Sequence, residues 1–182
     1  MSKASKEFKP LSLAILTVSD SRTEQDDSSG DYLRDAALEA GHHVVERQII
    51  RDNLYNIRAV VSQWVASEQI QAILINGGTG FTTGDNTPQA IKPLFDREIE
   101  GFGELFRMVS FEDIGTSTIQ SRALAGLANQ TVIFAMPGST RACTTAWEHI
   151  IASQLDARTG PCNFIPHVKQ IPHVKPVLHI KK

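Results

Sequence analysis

Four short groups of residues carry the side chains that handle anions and metal ions, and each follows an apolar run. Ser19-Asp20-Ser21 comes after Leu13 to Val18, and Asp52 comes after Val44 to Ile50. Gly77 to Gly80, with Asp85 and Thr87 further on, comes after Ala72 to Ile75, and Pro137-Gly138-Ser139 after Val132 to Ala135. The third group lies in INGGTGFTTGDNTPQA, Ile75 to Ala90, where three glycines fall within Gly77 to Gly80. Each glycine gives up more backbone freedom on folding than any other residue, so such a cluster implies close approach to the main chain. Two of the groups are glycine-containing turns that open helices. A helix start offers unpaired N–H groups and partial positive charge, which suits a phosphate. Thr79 and Ser139 add hydroxyl donors. Asp52 and Asp85 would repel a phosphate unless a hard cation lay between them, and carboxylates beside phosphates are a common way to hold Mg²⁺. The chemistry implied is phosphate binding with a metal.

The residue types alone leave alternatives open. GGTG is neither GxGxxG nor a Walker A loop, because no Gly-Lys-Ser/Thr follows it. Asp20 reads equally as a local turn cap, and Asp52 as part of the cap of a helix opening near Asn53. Asp85, inside the loop and away from a helix cap, has the stronger functional reading. Trp64 and Trp147 fall on helical core stripes and are explained by packing, as is Cys143 beside Ala146. His42 and His43 lie in a turn and read as solvated. His167, His173 and His179 recur every six residues, in a tail without the geometry of a metal site. Phe95, Phe102, Phe106 and Phe111 suit a core or a subunit interface.

The elements that must position these groups alternate. Leu13 to Val18 and Val44 to Ile50 read as strands, separated by a helix from about Ser28 to Ala40 that stops at Gly41. Asn53 caps a helix with Ile57, Val60, Val61, Trp64 and Val65 on one face. The strand Ala72 to Ile75 is followed by the glycine loop, which ends at Thr87-Pro88 as N-cap and first helical residue. Helices are expected around Ile99 to Val109 and from about Ser117 to Ala128. Val132 to Ala135 is a further strand, and a helix follows Ser139. Continuous apolar strands alternating with helices predict an α/β fold: a doubly wound, mostly parallel sheet with helices on both faces. Ligands of such sheets bind outside the carboxyl ends of the strands, where all four groups would meet. From Pro161 the chain is proline-punctuated and repeats IPHVK, at Ile165 to Lys169 and Ile171 to Lys175. It reads as an arm, residues 161–182, beside one domain, residues 1–160.

The bulk properties set limits. The 182 residues, 41% hydrophobic and 21% charged with net charge −2, are those of a globular chain without a basic field for nucleic acid or an anionic membrane. No apolar run reaches the roughly 18 residues of a membrane span, and the first ten residues lack a signal-type apolar core. Two cysteines nineteen positions apart, without CxxC, read as reduced thiols of a cytoplasmic protein.

Taken in order, LTVSDSR, SGDYLRDAALEAGH, INGGTGFTTGDNTPQA, EGFGELFRMVSFEDIGTSTIQSRALAG and FAMPGSTRAC resemble the MoaB/MogA family of molybdenum cofactor biosynthesis, from about Phe8 to Pro161. The resemblance implies a molybdopterin-binding fold, usually trimeric and in some members hexameric. It implies adenylylation of molybdopterin with ATP and Mg²⁺, releasing pyrophosphate. The alternative is a protein that holds molybdopterin or a related pterin without turning it over. The substrate-binding residues so implied are Gly77, Gly78, Thr79, Gly80, Pro137, Gly138 and Ser139; Ser19, Asp20 and Thr87 join them from their places after the first strand and at the end of the glycine loop. Asp52 and Asp85 take the catalytic and metal-holding roles. One departure stands out: many members have an arginine just before the loop aspartate, where this chain has Gly84. On the sequence alone, the pocket keeps its amides and lacks a nearby cation.

Overall fold

The computed structural model describes residues 5–171. It contains six strands, β1 (Ser12–Val18), β2 (His43–Ile50), β3 (Ala72–Asn76), β4 (Arg97–Glu98), β5 (Leu124–Ala128) and β6 (Thr131–Met136). Five helices matter to the site: α1 (Ser28–Glu39), α2 (Leu54–Ala66), α3 (Thr87–Ile91), α4 (Glu100–Ile114) and α5 (Thr140–Ala146). The strands form one mixed sheet in the order β2-β1-β3-β6-β5-β4. β2, β1, β3 and β6 are parallel, while β5 runs antiparallel to β6 and β4 antiparallel to β5.

Alternation along the strands divides two apolar layers. Leu13, Ile15, Leu74 and Phe134 pack with Leu33 of α1, Phe102 and Phe106 of α4, and Cys143 and Ala146 of α5. Ala14, Leu16, Ile73 and Ile75 pack on the other face with Ile57, Val61 and Trp64 of α2 and Ala90 of α3. Both tryptophans and Cys143 are therefore core, and burial pushes the Cys143 thiol up to about 12. Among the described residues no helix is long and apolar enough to cross a membrane.

Three expectations are corrected. The segment from Ser117 to Ala128 is not a helix: a 3₁₀ stretch, Gly115–Gln120, precedes β5. Gly126 is required in Leu124–Ala128 because the Phe95 ring lies against it, where a Cβ would run into it. The β5–β6 hairpin then turns on Asn129 and Gln130, with φ of 44° and 57°, the left-handed pair that a two-residue type I′ turn requires. His42 is not solvated. It is 3% exposed, its Nδ1 accepts from the Leu11 amide at 3.1 Å, and Phe8 and Trp147 pack on its ring. His43 is exposed. Finally, Asn86 occupies the N-cap position of α3, and Thr87 is its first helical residue.

The four phenylalanines divide by face: Phe102 and Phe106 are core, Phe95 covers Gly126, and Phe111 is exposed. Pairing of β1 with β2 slips by one residue, since Leu13 faces Val44 and Ala14 faces Glu46, leaving Val45 as a bulge. The first IPHVK copy packs back on the core, with Ile165 and Val168 buried. His173, His179 and the second copy beyond Ile171 lie outside the described residues. Among those described, no group of three His, Cys, Asp or Glu side chains is placed to hold a metal ion.

Candidate functional site

Because β1, β2, β3 and β6 are parallel, the groups that follow them share one edge. They are also joined. The Gly77 amide donates to the Met136 carbonyl at 3.0 Å, and the Ser19 amide to that of Ile50 at 2.9 Å. The Asp52 amide donates to Asp20 Oδ1 at 3.1 Å. Asn86 donates through its amide and Nδ2 to Asp52 Oδ1, at 3.1 and 3.0 Å. A Cβ on Gly138 would sit 3.1 Å from Gly77 Cα, so the two glycine turns touch.

The glycines answer to geometry. Gly77 and Gly78 have φ of +98° and +64°, a left-handed conformation that side chains oppose. A Cβ on Gly77 would strike the Val18 carbonyl, and one on Gly78 would strike Asp52 Oδ2 and Thr87 Oγ1. One on Gly80 would come within 2.8 Å of Asp85 Oδ2. Both carboxylates are thus aimed at glycine backbone.

Several hydroxyls named from the sequence hold the frame. Thr87 is buried and donates to the Gly77 carbonyl at 2.8 Å, so it closes the loop. Thr79 is 2% exposed. Ser139 Oγ accepts from the Ala142 amide at 3.2 Å and caps α5, while Ser19 Oγ accepts from the Ser21 and Arg22 amides. Asp20 holds the chain at Asp52 rather than capping its own turn.

The two acidic groups differ in electrostatics. Burial raises the Asp52 carboxyl above its ordinary range, and the charges of Asp85 and Asp20 push the same way against the Asn86 hydrogen bonds. For Asp85 burial also pulls upward, but it is outweighed. The Thr82 hydroxyl at 2.6 Å and amide at 2.8 Å, the Gly80 amide and the Arg122 charge hold it low. A divalent cation near both would relieve the repulsion that Asp52 feels. Two carboxylates suffice for Mg²⁺ when phosphate and water complete its shell, so the residues present fit that ion.

Sequence reasoning missed two groups. Asp27, fully buried, caps α1 by accepting from the Gly30 amide at 3.0 Å. It also accepts from Thr17 Oγ1 at 2.7 Å, Arg47 Nη2 at 2.9 Å and Arg22 Nη1 at 3.2 Å. Burial raises its pKa, and these four donors together bring it below the ordinary range. Ser29 Oγ, next to this cap, donates to the Gly138 carbonyl at 2.6 Å. Asn76 Nδ2 donates to Thr17 Oγ1 at 2.9 Å, while the buried Asn76 Oδ1 has no protein partner. An aspartate directly before the first helical serine was the available signal.

The second missed residue is Arg122, a cation that holds the glycine loop from outside. Its Nε donates to the Gly80 carbonyl at 2.6 Å and its Nη2 to the Asp85 carbonyl at 2.7 Å. Its guanidinium lies 5.3 Å from the centre of the Phe81 ring. A cleft of about 250 Å³ beside β4 and α4, and another of about 330 Å³ beside Gln130 and His167, are lined by other residues.

The architecture is that of an α/β protein with a mixed, mostly parallel sheet whose glycine turns and two carboxylates gather at one edge. The family described as "Probable molybdopterin binding domain" matches residues 14–157. The chain is 67% identical over 170 residues to "Molybdenum cofactor biosynthesis protein B" of Escherichia coli (strain K12), covering 93% of this chain and all of that one. Its likeness to the protein of the same name from Bacillus subtilis (strain 168) is 43% over 142 residues, 78% of this chain and 84% of that one. A crystal structure of molybdenum cofactor biosynthesis protein B superposes with TM-score 0.79 at 43% identity, covering 81% of this chain and 92% of that one. The tungsten cofactor synthesizing protein MoaB from Pyrococcus furiosus gives 0.72 at 34%, covering 78% and 91%. The chain belongs to the MoaB family of molybdenum cofactor biosynthesis proteins.

Proposed function

We propose that this protein binds molybdopterin at the carboxyl edge of the sheet and, with MgATP, adenylylates it. The observation that carries the reading is the left-handed pair Gly77 and Gly78, set between Val18, Asp52 and Gly138 where any side chain would collide. Glycine there lets the loop fold tightly against β1 and α3, so that this turn and the Gly138 turn meet at helix starts, which suit a phosphate. In the transfer, a terminal phosphate oxygen of molybdopterin attacks the α-phosphorus of ATP. A new P–O–P linkage forms, the α–β bridge breaks, and pyrophosphate leaves with the bonding electrons. The attacking oxygen is already ionised, so the protein needs no strong base; its task is to bring two anions together. The Gly78 and Thr79 amides and the Ser139 turn would hold phosphate oxygens, and Asp52 and Asp85 would hold the metal. Bound Mg²⁺ supplies the positive charge that offsets the developing charge on the α-phosphate. We place the protein in the cytoplasm as a homo-oligomer, a trimer or a dimer of trimers.

Gly84 favours a second reading, molybdopterin binding with little turnover. Its φ is not left-handed, and a Cβ there would meet only Thr82 Oγ1, at 3.8 Å, so the fold does not require glycine. Incubating the purified protein with molybdopterin and Mg-ATP, and following pyrophosphate and adenylylated product, tests both readings. Gly84→Arg should raise transfer while changing molybdopterin affinity little. Product from neither protein would leave binding as the function. Failure to bind molybdopterin would remove both.

A further inference from the structure

We propose that Arg122 is a positioning residue of this site, a two-pronged clasp that fixes the loop carrying Asp85. The inference rests on the reading above for its ligand, and on the fold for its geometry. Parallel strands bring their carboxyl ends to the functional edge, but β5 is antiparallel, so the residue just before it arrives at that same edge. Arg122 is that kind of residue: it stands two positions before Leu124, where β5 begins. Its amide donates to the Thr79 carbonyl at 3.0 Å, and its side chain reaches the Gly80 and Asp85 carbonyls.

Residues 80 to 85 form a closed ring of their own. The Asp85 amide donates to the Thr82 carbonyl at 3.1 Å, and Thr82 donates back to the Asp85 carboxylate. Among the described residues, Arg122 is the one residue outside positions 79–87 that hydrogen-bonds this ring. It does so at both ends, with its guanidinium carbon over the Phe81 ring. A planar fork can hold two carbonyls at fixed separation, whereas a lysine ammonium is a point charge on a flexible stem. Without the clasp, the ring would keep its internal bonds and swing on Thr79 and Asn86, taking Asp85 with it. The arginine that many family members carry where this chain has Gly84 and the clasp at Arg122 are different devices, because Arg122 acts through main-chain carbonyls.

The test uses full-length wild type, Arg122→Gln, Arg122→Lys and Arg122→Gln with Gly84→Arg. Hydrogen exchange of the peptide spanning 79–87 should quicken at least about tenfold in Arg122→Gln, with other peptides unchanged. Binding of Mn²⁺-ATP, followed by the Mn²⁺ resonance signal, should weaken by about tenfold or more, while molybdopterin affinity moves by less than about threefold. Transfer should lose kcat with KM for molybdopterin little changed. Arg122→Lys should behave like Arg122→Gln, and Gly84→Arg should not rescue. Unaltered loop exchange or unaltered Mn²⁺-ATP binding in Arg122→Gln would overturn the clasp, and so would full recovery in Arg122→Lys. A wild type that transfers no AMP would sink the adenylylation reading alone, because the exchange and Mn²⁺ measurements would still decide the role of Arg122.

Discussion

Gly78 meets two demands at once, a left-handed φ and contact with Asp52 and Thr87, so a β-branched side chain there fails on both. Gly78→Val should weaken molybdopterin binding by at least about a hundredfold, some 3 kcal/mol, while leaving far-UV circular dichroism close to wild type. Unchanged affinity in the folded variant would move the site elsewhere. His42 makes a prediction in pH. Burial holds its pKa down at about 4, so between about 4 and the ordinary 6.5 the unfolded chain binds a proton that the folded chain refuses. Stability contributed by neutral His42 is therefore present above pH 6.5 and lost as pH falls toward 4, by up to about 3 kcal/mol. Asp27, held low, adds its own loss only below about 3.8. Urea midpoints measured from pH 7 to 4 should fall, and His42→Gln should flatten that fall; an equal slope in both would refute the assignment. Asp85 and the glycines were legible because their chemistry is local. His42 and Arg122 were not, since their partners Leu11 and Gly80 lie 31 and 42 residues away.

Helix α4 has two apolar faces. Phe102 and Phe106 enter the core, while Leu105, Met108, Phe111 and Ile114 are exposed, and Ile119 follows in the 3₁₀ stretch. Exposed apolar surface of this extent along one helix is the mark of an interface. Sedimentation at low micromolar concentration should show a trimer or hexamer, and Met108→Glu with Phe111→Glu should give a folded monomer. A monomeric wild type would refute the interface. Helical period revealed α4 from sequence, but not which of its phenylalanines enter the core and which stay exposed. The same reasoning misread β5, because Leu-Ala-Gly-Leu-Ala carries helix-favouring residues. Gly126 there makes room for the Phe95 ring, a long-range contact that overrides local preference. The Asn129-Gln130 turn lacked the glycine that would have betrayed the hairpin.

Across the whole molecule, the alternation of strands and helices was enough to bring the four residue groups to one edge, since the strands they follow are parallel. The opposite edge was not legible. There Lys169 Nζ donates to the carbonyls of Val65 at 2.8 Å and Ser67 at 2.6 Å, and to Thr131 Oγ1 at 2.9 Å. This cation closes the carboxyl end of α2, where the helix dipole favours it. The Lys169 carbonyl accepts from Gln71 Nε2, and its amide donates to the Gln130 carbonyl at 2.9 Å. A sequence read as an arm is thereby pinned to three elements. Lys169→Ala should cost about 2 kcal/mol, and lower the melting temperature by about 4–8 °C. A shift under a degree would show the pin to be idle.

The bulge at Val45 has a consequence for solubility. β2 is eight residues long and pairs on one side only, with β1, so its other side presents main-chain donors and acceptors to passing chains. β4, at the far margin, is two residues long and offers little to pair with. A bulge bends and twists a margin strand, so that an incoming flat strand finds register with few of its groups. Deleting Val45 would restore one-to-one pairing and straighten that margin. The shortened protein should form thioflavin-binding fibrils on mild heating under conditions in which the parent chain stays clear.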